Sequence, residues 1–160
     1  MNKKFLLLIT AVLVLPSHAI AAQLYDNWPD VAGPYVGQEP PGMTAEMFAP
    51  GFISTDRSEI NSVFTPDGRE FYFTTWTRET GTKIMLTSRV DGRWSRPEVA
   101  SFSNHDSDVD PALSYDGKRV FFSTRRPRPG ETETRKDGFD LWFADRTETG
   151  WAEEQYLGPL

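Results

Sequence analysis

The segment His105–Asp110 holds the densest set of side chains that could carry chemistry, because it places carboxylates at every second position beside a histidine. Carboxylate oxygens are preferred ligands of Ca²⁺, so the spacing raises the hypothesis of a calcium loop. Such a loop also requires a glycine after its third acid and a glutamate at its twelfth position, where this chain has Pro111 and Gly117. We therefore predict no metal site. Alternate spacing on a strand would send all three acids to one face, where we interpret them as solvated or hydrogen-bonded groups.

Motifs for nucleophilic or nucleotide-dependent catalysis are absent from the sequence. It contains no cysteine, no G-x-S-x-G turn and no phosphate-binding loop, and His105 is the only histidine after the leader described next. The 23 acidic residues leave open the carboxylate pair of a glycosidase, because the separation of such a pair depends on the tertiary fold. We predict no catalytic residues and no cofactor, and we keep a carbohydrate-active hydrolase or lyase as an alternative.

Residues 1–22 have the pattern of a Sec-type signal peptide. Two lysines at positions 3 and 4 precede the apolar run Phe5–Leu15, which is followed by Pro16 and the small-residue site Ala19–Ala21. The run is shorter than the roughly 20 residues that a permanent membrane span needs, and the chain has no cysteine to carry a lipid. We expect a periplasmic or secreted protein with no transmembrane segment in its mature part.

The charge of the chain argues against one class of partner. The net charge is −6, and loss of a leader with two lysines and no acids would change it to −8. Affinity for nucleic acid depends on neutralising phosphates with lysine and arginine. We therefore predict that nucleic acid is not a partner.

Two stretches of the chain after the leader resemble each other. Residues 23–50 are rich in proline and glycine and predict an extended lead-in. From Gly51 onward, short runs of β-branched and aromatic residues alternate with Asp-Gly turns, which is typical of hairpins. A shift of 49 places Gly51–Trp76 over Ala100–Arg125 without a gap, and the shift becomes 57 after an eight-residue insertion that follows Arg125.

Each copy divides into four short predicted strands, in blades at 59–102 and 108–158. The strands are Glu59–Thr65, Glu70–Trp76, Lys83–Arg89 and Pro97–Phe102, then Asp108–Ser114, Arg119–Thr124, Asp140–Arg146 and Glu153–Gly158. Four antiparallel strands in a unit of about 40 to 50 residues are typical of a propeller blade. The shift also predicts an extra N-terminal strand at Phe48–Ser54. We therefore expect an all-β fold with two blades and one additional strand.

The turns carry a family resemblance. The segments Thr65–Phe73 and Ser114–Phe122 resemble the SPDGKxLxF core of TolB-like, WD40-like β-propeller repeats, and the lead-in from Gly37 to Phe52 is similar to the N-terminal segment of some exported proteins with such repeats. This resemblance implies a propeller and does not imply an activity. Propellers close with about four to eight blades, so we expect residues 51–160 to be part of a larger closed propeller.

Propeller geometry also indicates where a ligand would bind. Loops from the fourth strand to the next first strand share a face with loops from the second strand to the third, and here this loop face includes the charged insertion 125–138. The candidate binding residues on it are Arg57, Trp76, Arg78, His105, Asp106, Asp108, Arg125 and Arg126. We predict a binding scaffold for a protein or glycan, and we leave open a charged loop without a ligand and a purely structural envelope module.

Overall fold

The computed structural model describes residues 28–105, 107–134 and 137–160. The signal peptide predicted at residues 1–22 therefore lies outside the described residues. The described chain is all-β, as the sequence predicts, and consists of two antiparallel sheets preceded by the lead-in. No helix among the described residues is long and apolar enough to cross a membrane.

The first sheet contains β1 to β5 and the second contains β6 to β10. Their bounds are β1 Ser58–Phe64, β2 Glu70–Thr77, β3 Gly81–Val90, β4 Arg93–Trp94, β5 Glu98–Val99, β6 Val109–Leu113, β7 Arg119–Thr124, β8 Asp140–Thr147, β9 Gly150–Trp151 and β10 Gln155–Pro159, and a single 3-10 turn lies at Tyr35–Gly37. In each sheet the first three strands run antiparallel in chain order, and the last two strands both pair with the third. The predicted antiparallel pairing is thus confirmed, but each sheet has five strands and not the predicted four, because the two-residue strands β4 and β9 were not expected.

In each sheet, one Asp-Gly turn connects the first strand to the second. The Asp67 carboxylate accepts from the Thr65 hydroxyl at 2.7 Å, and the Asp116 carboxylate accepts from the Ser114 hydroxyl at the same distance. Both carboxyl groups have a pKa below the usual range, chiefly because these hydrogen bonds favour the ionised form. Gly117 closes its turn with a positive φ of 70°, as the turn requires.

Replacement of Gly117 by alanine tests how closely the two sheets approach at these turns. A Cβ on Gly117 would lie 3.1 Å from Cδ of Pro66 in the neighbouring turn, whereas one on Gly68, which has a φ of 65°, would meet nothing within 4 Å. Gly68→Ala should cost about 1 kcal/mol through φ alone, and Gly117→Ala should lower the free energy of unfolding by a larger amount, up to about 3 kcal/mol. Urea denaturation of both variants checks this, and equal losses would contradict the close approach.

A β-bulge interrupts the first strand of each sheet. Asn61 in β1 and Asp110 in β6 have positive φ values of 45° and 58°, and the strand registers shift at these positions. The Asn61 side-chain amide donates a hydrogen bond to the Asp110 carboxylate, which joins the two strands. The expected alternation of the acids in His105–Asp110 is therefore wrong, because Asp110 is exposed at the bulge while Asp108 is fully buried.

The sheets pack face to face through an aromatic core. Phe102, on the segment between the sheets, lies between Tyr72 of the first sheet and Phe122 of the second, with ring centroids 6.0 and 5.3 Å apart. Ile84 and Val120 are fully buried in the same cluster. Full burial of a side chain of this size contributes about 1.5–3 kcal/mol, so this core is the main force that holds the sheets together.

The lead-in covers the opposite face of the first sheet. Val36, Phe52 and Ile53 are buried there against Phe71 and Phe73 of β2. The indole N–H of Trp94 also donates to the carbonyl of Gly33 at 2.7 Å, and the backbone of residues 31–33 pairs with that of 92–94. The lead-in therefore packs as part of the fold and is not a free extension.

The extra N-terminal strand predicted at Phe48–Ser54 is wrong. The backbone forms a tight turn there, in which the N–H groups of Phe52 and Ile53 donate to the carbonyl of Ala49 at 3.0 and 2.8 Å. A turn also forms after Ala100, where Ser103 N–H donates to its carbonyl at 2.8 Å. The similarity between the two segments in sequence therefore reflects turn chemistry, which the glycine and small residues supply, and not strand pairing.

Candidate functional site

The loops predicted to form one face do gather at one end of the sheets. Ser58 at the start of β1 pairs with Trp76 at the end of β2, and Trp76 pairs with Thr82 at the start of β3. Thr82 in turn forms a bridge to Ser107, ahead of β6 in the second sheet. The hydroxyl of Ser107 then accepts from the backbone N–H of Arg125 at 3.0 Å. We call this end, with the described residues of the loops 55–58, 77–82, 103–107 and 125–138, the loop face.

Four predicted residues are accessible on the loop face. Trp76 is 49% exposed, which is unusual for so large an apolar side chain. Arg57, Arg78 and Arg125 are exposed as well. The Arg125 guanidinium lies over the ring of Phe139, 4.5 Å from its centroid, and this contact restrains the side chain at the start of the insertion.

Two other predicted residues are buried in an ion pair and are not accessible. Arg126 is 6% exposed and Asp108 is fully buried, and the Nη2 atom of Arg126 donates to the Asp108 carboxylate at 2.8 Å and to the carbonyl of Phe102 at 3.2 Å. The guanidinium lies over the rings of Phe122 and Trp142, 5.0 and 5.2 Å from their centroids. These two side chains therefore position the loops and do not face a partner.

A second ion pair, in which only the carboxylate is fully buried, anchors the insertion. Arg128 donates twice to the fully buried carboxylate of Asp140, at 2.8 and 2.9 Å, in the bidentate geometry that guanidinium and carboxylate prefer. Glu154 also approaches Arg126, with an N–O separation of 3.4 Å. Sequence reasoning missed these three residues. The alternation of arginines at 126 and 128 after a buried strand was the available signal, since a strand-like alternation directs both side chains inward.

His105 is held at the junction of the loops. Its Nδ1 lies 2.8 Å from the Ser107 hydroxyl and its Nε2 lies 3.3 Å from the Thr134 hydroxyl. Its backbone N–H donates to Asp108 at 3.0 Å. Asp106 lies outside the described residues, and in the part of the chain that is described no group of three or more His, Cys, Asp or Glu side chains could hold a metal.

Comparisons with known proteins find no match. No protein-family model, curated protein or solved structure resembles this chain closely enough to be identified with it.

A groove of about 970 Å³ lies at the opposite end of the sheets, between the Asp-Gly turns. Its wall includes a network that the sequence did not indicate, in which the Arg146 guanidinium pairs with the Glu70 carboxylate and the Tyr72 hydroxyl donates to Glu70 at 2.8 Å. The indole N–H of Trp151 donates to the same hydroxyl at 3.1 Å. Burial, and then the negative charge of Glu70, raise the pKa of Tyr72 well above its usual range.

This pKa shift predicts a loss of stability at alkaline pH. A raised pKa in the folded state leaves the contribution of Tyr72 fully present below about pH 10 and removes it as the pH rises toward the folded-state value. Thermal unfolding followed from neutral pH upward should show a steep decline above about pH 10, and tyrosinate absorbance should show one of the five tyrosines ionising only with unfolding. Tyr72→Phe is the control, since it should make the decline shallower, and an unchanged decline would contradict the assignment.

Proposed function

We propose that this chain is an exported module of the TolB-like propeller type that binds a protein or glycan partner through its loop face. The observation that carries the proposal is the exposed Trp76 with Arg57, Arg78 and Arg125 on loops that buried ion pairs hold in place. Aromatic and arginine side chains on a rigid support are the usual anchors of binding surfaces. Their positive charge favours an acidic partner.

The way in which the sheets stack supports a propeller. The face of the first sheet that bears Tyr72 packs on the face of the second sheet that bears Val120 and Phe122. Under the shift of 49, Val120 corresponds to Phe71, which lies on the other face of the first sheet, against the lead-in. The contact therefore joins one face of the first sheet to the opposite face of the second sheet, as it does between successive blades in a propeller. We infer that they are two successive blades of a propeller.

Export is the part of the proposal that depends on residues 1–22. The intact mass of the protein recovered outside the cytoplasm should correspond to cleavage near Ala21 or Ala22. A product that is recovered there and still retains Met1 would contradict the assignment of a cleaved signal peptide.

Charge reversal on the loop face tests the binding proposal. The triple variant Arg57→Glu, Arg78→Glu, Arg125→Glu and the single variant Trp76→Ala should each weaken binding to an array of acidic glycans and to acidic extracytoplasmic proteins by about tenfold or more. Arg69→Glu, on a turn at the opposite end, is the matched control and should bind normally. Equal loss in the control would assign binding to the groove, and normal binding by the loop-face variants would refute the proposal.

The groove is the place where the alternative function would act. It is lined by acids from both sheets, among them Asp67, Asp116 and Glu148, and hydrolysis of a glycoside needs two carboxylates about 5 to 10 Å apart. Release of reducing sugar from the glycans that bind, and its loss in Glu148→Gln, would favour a carbohydrate-active hydrolase over a binding module.

A further inference from the structure

A second cavity lies between the lead-in and the outer face of the first sheet. Its volume is about 240 Å³, and its wall includes Ile53 of the lead-in turn, Glu59 of β1, Phe73 and Thr75 of β2, and Met85 of β3. Most of the exposed area of the wall is apolar, and it includes two carboxylates, those of Asp56 and Glu59. That composition is typical of a site that holds the end of a side chain.

The surroundings of the buried Arg126 in the second sheet, which we call the arginine site, indicate which side chain this cavity is suited to bind. Besides the Glu154 carboxylate at 3.4 Å, whose place under the shift of 57 is taken by Pro97 in the first sheet, Arg126 meets four groups. These are the Asp108 carboxylate, the Phe102 carbonyl and the rings of Phe122 and Trp142. The shifts of 49 and 57 carry these four residues onto others in the first sheet. They become Glu59, Ile53, Phe73 and Met85, all of which line the cavity.

The residue that fills the second site has no counterpart in the first. Arg126 is the first residue of the insertion that follows Arg125. Thr77, which follows Trp76 in the first sheet, does not line the cavity, and its hydroxyl lies 2.8 Å from that of Thr80 in the turn. The first sheet thus has the walls of an arginine site without an arginine of its own at the corresponding position.

The buried hydroxyl of Thr75 also indicates that the cavity is suited to a hydrogen-bond donor. Thr75 is 6% exposed, and its hydroxyl has no hydrogen-bond partner among the described residues. The corresponding hydroxyl, on Thr124, accepts from the backbone N–H of Arg126 at 3.2 Å. A buried hydroxyl without a hydrogen bond costs free energy. A ligand with an N–H group in this cavity would therefore bind more tightly by donating to Thr75.

Glu59, one of the two carboxylates at the cavity, is held in place by Thr55. The Thr55 hydroxyl donates to Glu59 at 2.5 Å and the Thr55 backbone N–H donates at 3.3 Å, much as the His105 N–H holds Asp108 in the second sheet. Arg57 and Arg96 also line the cavity but are exposed, and Arg96 lies over the ring of Trp28 at 4.8 Å. Solvent screens exposed charges more than it screens the contacts inside a site.

We propose that this cavity binds the guanidinium of an arginine side chain from a partner protein. Glu59 and Thr75 accept its N–H groups and Phe73 lies beside it, as Phe122 lies beside Arg126. The indole N–H of Trp28, which also has no partner among the described residues, suits a carbonyl of the same peptide. The proposal deepens the binding function, for which it names one recognised side chain.

The test uses Nα-acetyl-arginine amide as the probe and the purified protein, with binding followed by NMR. The indole N–H of Trp28 and the amides of Ile53 and Thr75 should shift on titration. The citrulline analogue, which has the same shape without the charge, should bind about tenfold more weakly, and so should Glu59→Gln, while the exposed Glu46→Gln should bind as wild type. Absence of these shifts, equal binding of citrulline, or tighter binding of acetyl-glutamate amide would overturn the proposal.

A second variant fills the cavity from within the chain. Thr77→Arg supplies the arginine that the second sheet has, so it should raise the melting temperature and abolish binding of the probe. Full binding by Thr77→Arg would refute the location. The double variant Arg78→Glu, Arg125→Glu separates the two proposals, since it should lose acidic glycans and keep the arginine probe.

Discussion

Arg126→Ala is expected to lower the free energy of unfolding by about 3–5 kcal/mol, because it leaves the carboxylate of Asp108 buried and unpaired. The variant also removes a hydrogen-bond donor to the Phe102 carbonyl and a cation that lies over two aromatic rings. Thermal and urea unfolding measure the loss. The size of the effect reflects the cost of an uncompensated buried charge and not the net value of the pair.

The adjacent arginine provides a matched control for this prediction. Arg125→Ala removes the same side chain from an exposed position, where its contact is with the ring of Phe139, and should cost less than about 1 kcal/mol. A double variant, Asp108→Leu with Arg126→Met, removes both charges and should recover much of the stability, since apolar replacements of buried pairs are often tolerated. Similar losses for Arg125→Ala and Arg126→Ala would show that the pair is not buried in solution.

The protein is also expected to self-associate through the outer face of its second sheet. That face carries Phe121, Phe143 and Leu157, of which Leu157 is 51% exposed and the two phenylalanines are partly exposed. The shifts carry these positions onto Tyr72, Leu86 and Ala100, which pack in the core between the two sheets. The face that is buried in the first sheet is therefore exposed to solvent in the second sheet. Exposed apolar faces of this kind promote association.

Sedimentation velocity with a thermal melt checks the association. The purified chain should be oligomeric, and Phe121→Asp with Leu157→Asp should produce a monomer, whereas Tyr115→Asp, on a fully exposed turn residue, should leave the oligomer unchanged. A wild-type monomer with one sharp transition would mean that the two sheets close a core of their own. The propeller proposal would then have to be withdrawn.

Local chemistry made the strands and turns predictable from the sequence. The Asp-Gly pairs at 67–68 and 116–117 satisfy their own backbone within a few residues, and continuous runs such as Phe71–Phe73 indicate strands covered on both faces. The gathering of the loops at one end followed from the antiparallel strand order. The bulges at Asn61 and Asp110 escaped prediction because a bulge depends on the partner strand and not on the local pattern.

What only the tertiary structure decided was which charged residues are buried and what covers the first sheet. Arg125 and Arg126 are adjacent and identical in type, yet one is exposed and the other pairs with a carboxylate 18 residues away. Phe48–Ser54 similarly became a turn whose apolar side chains cover the first sheet. Sequence spacing determines local hydrogen bonds, whereas burial of a charge depends on groups from distant segments that together offset the cost of removing it from water.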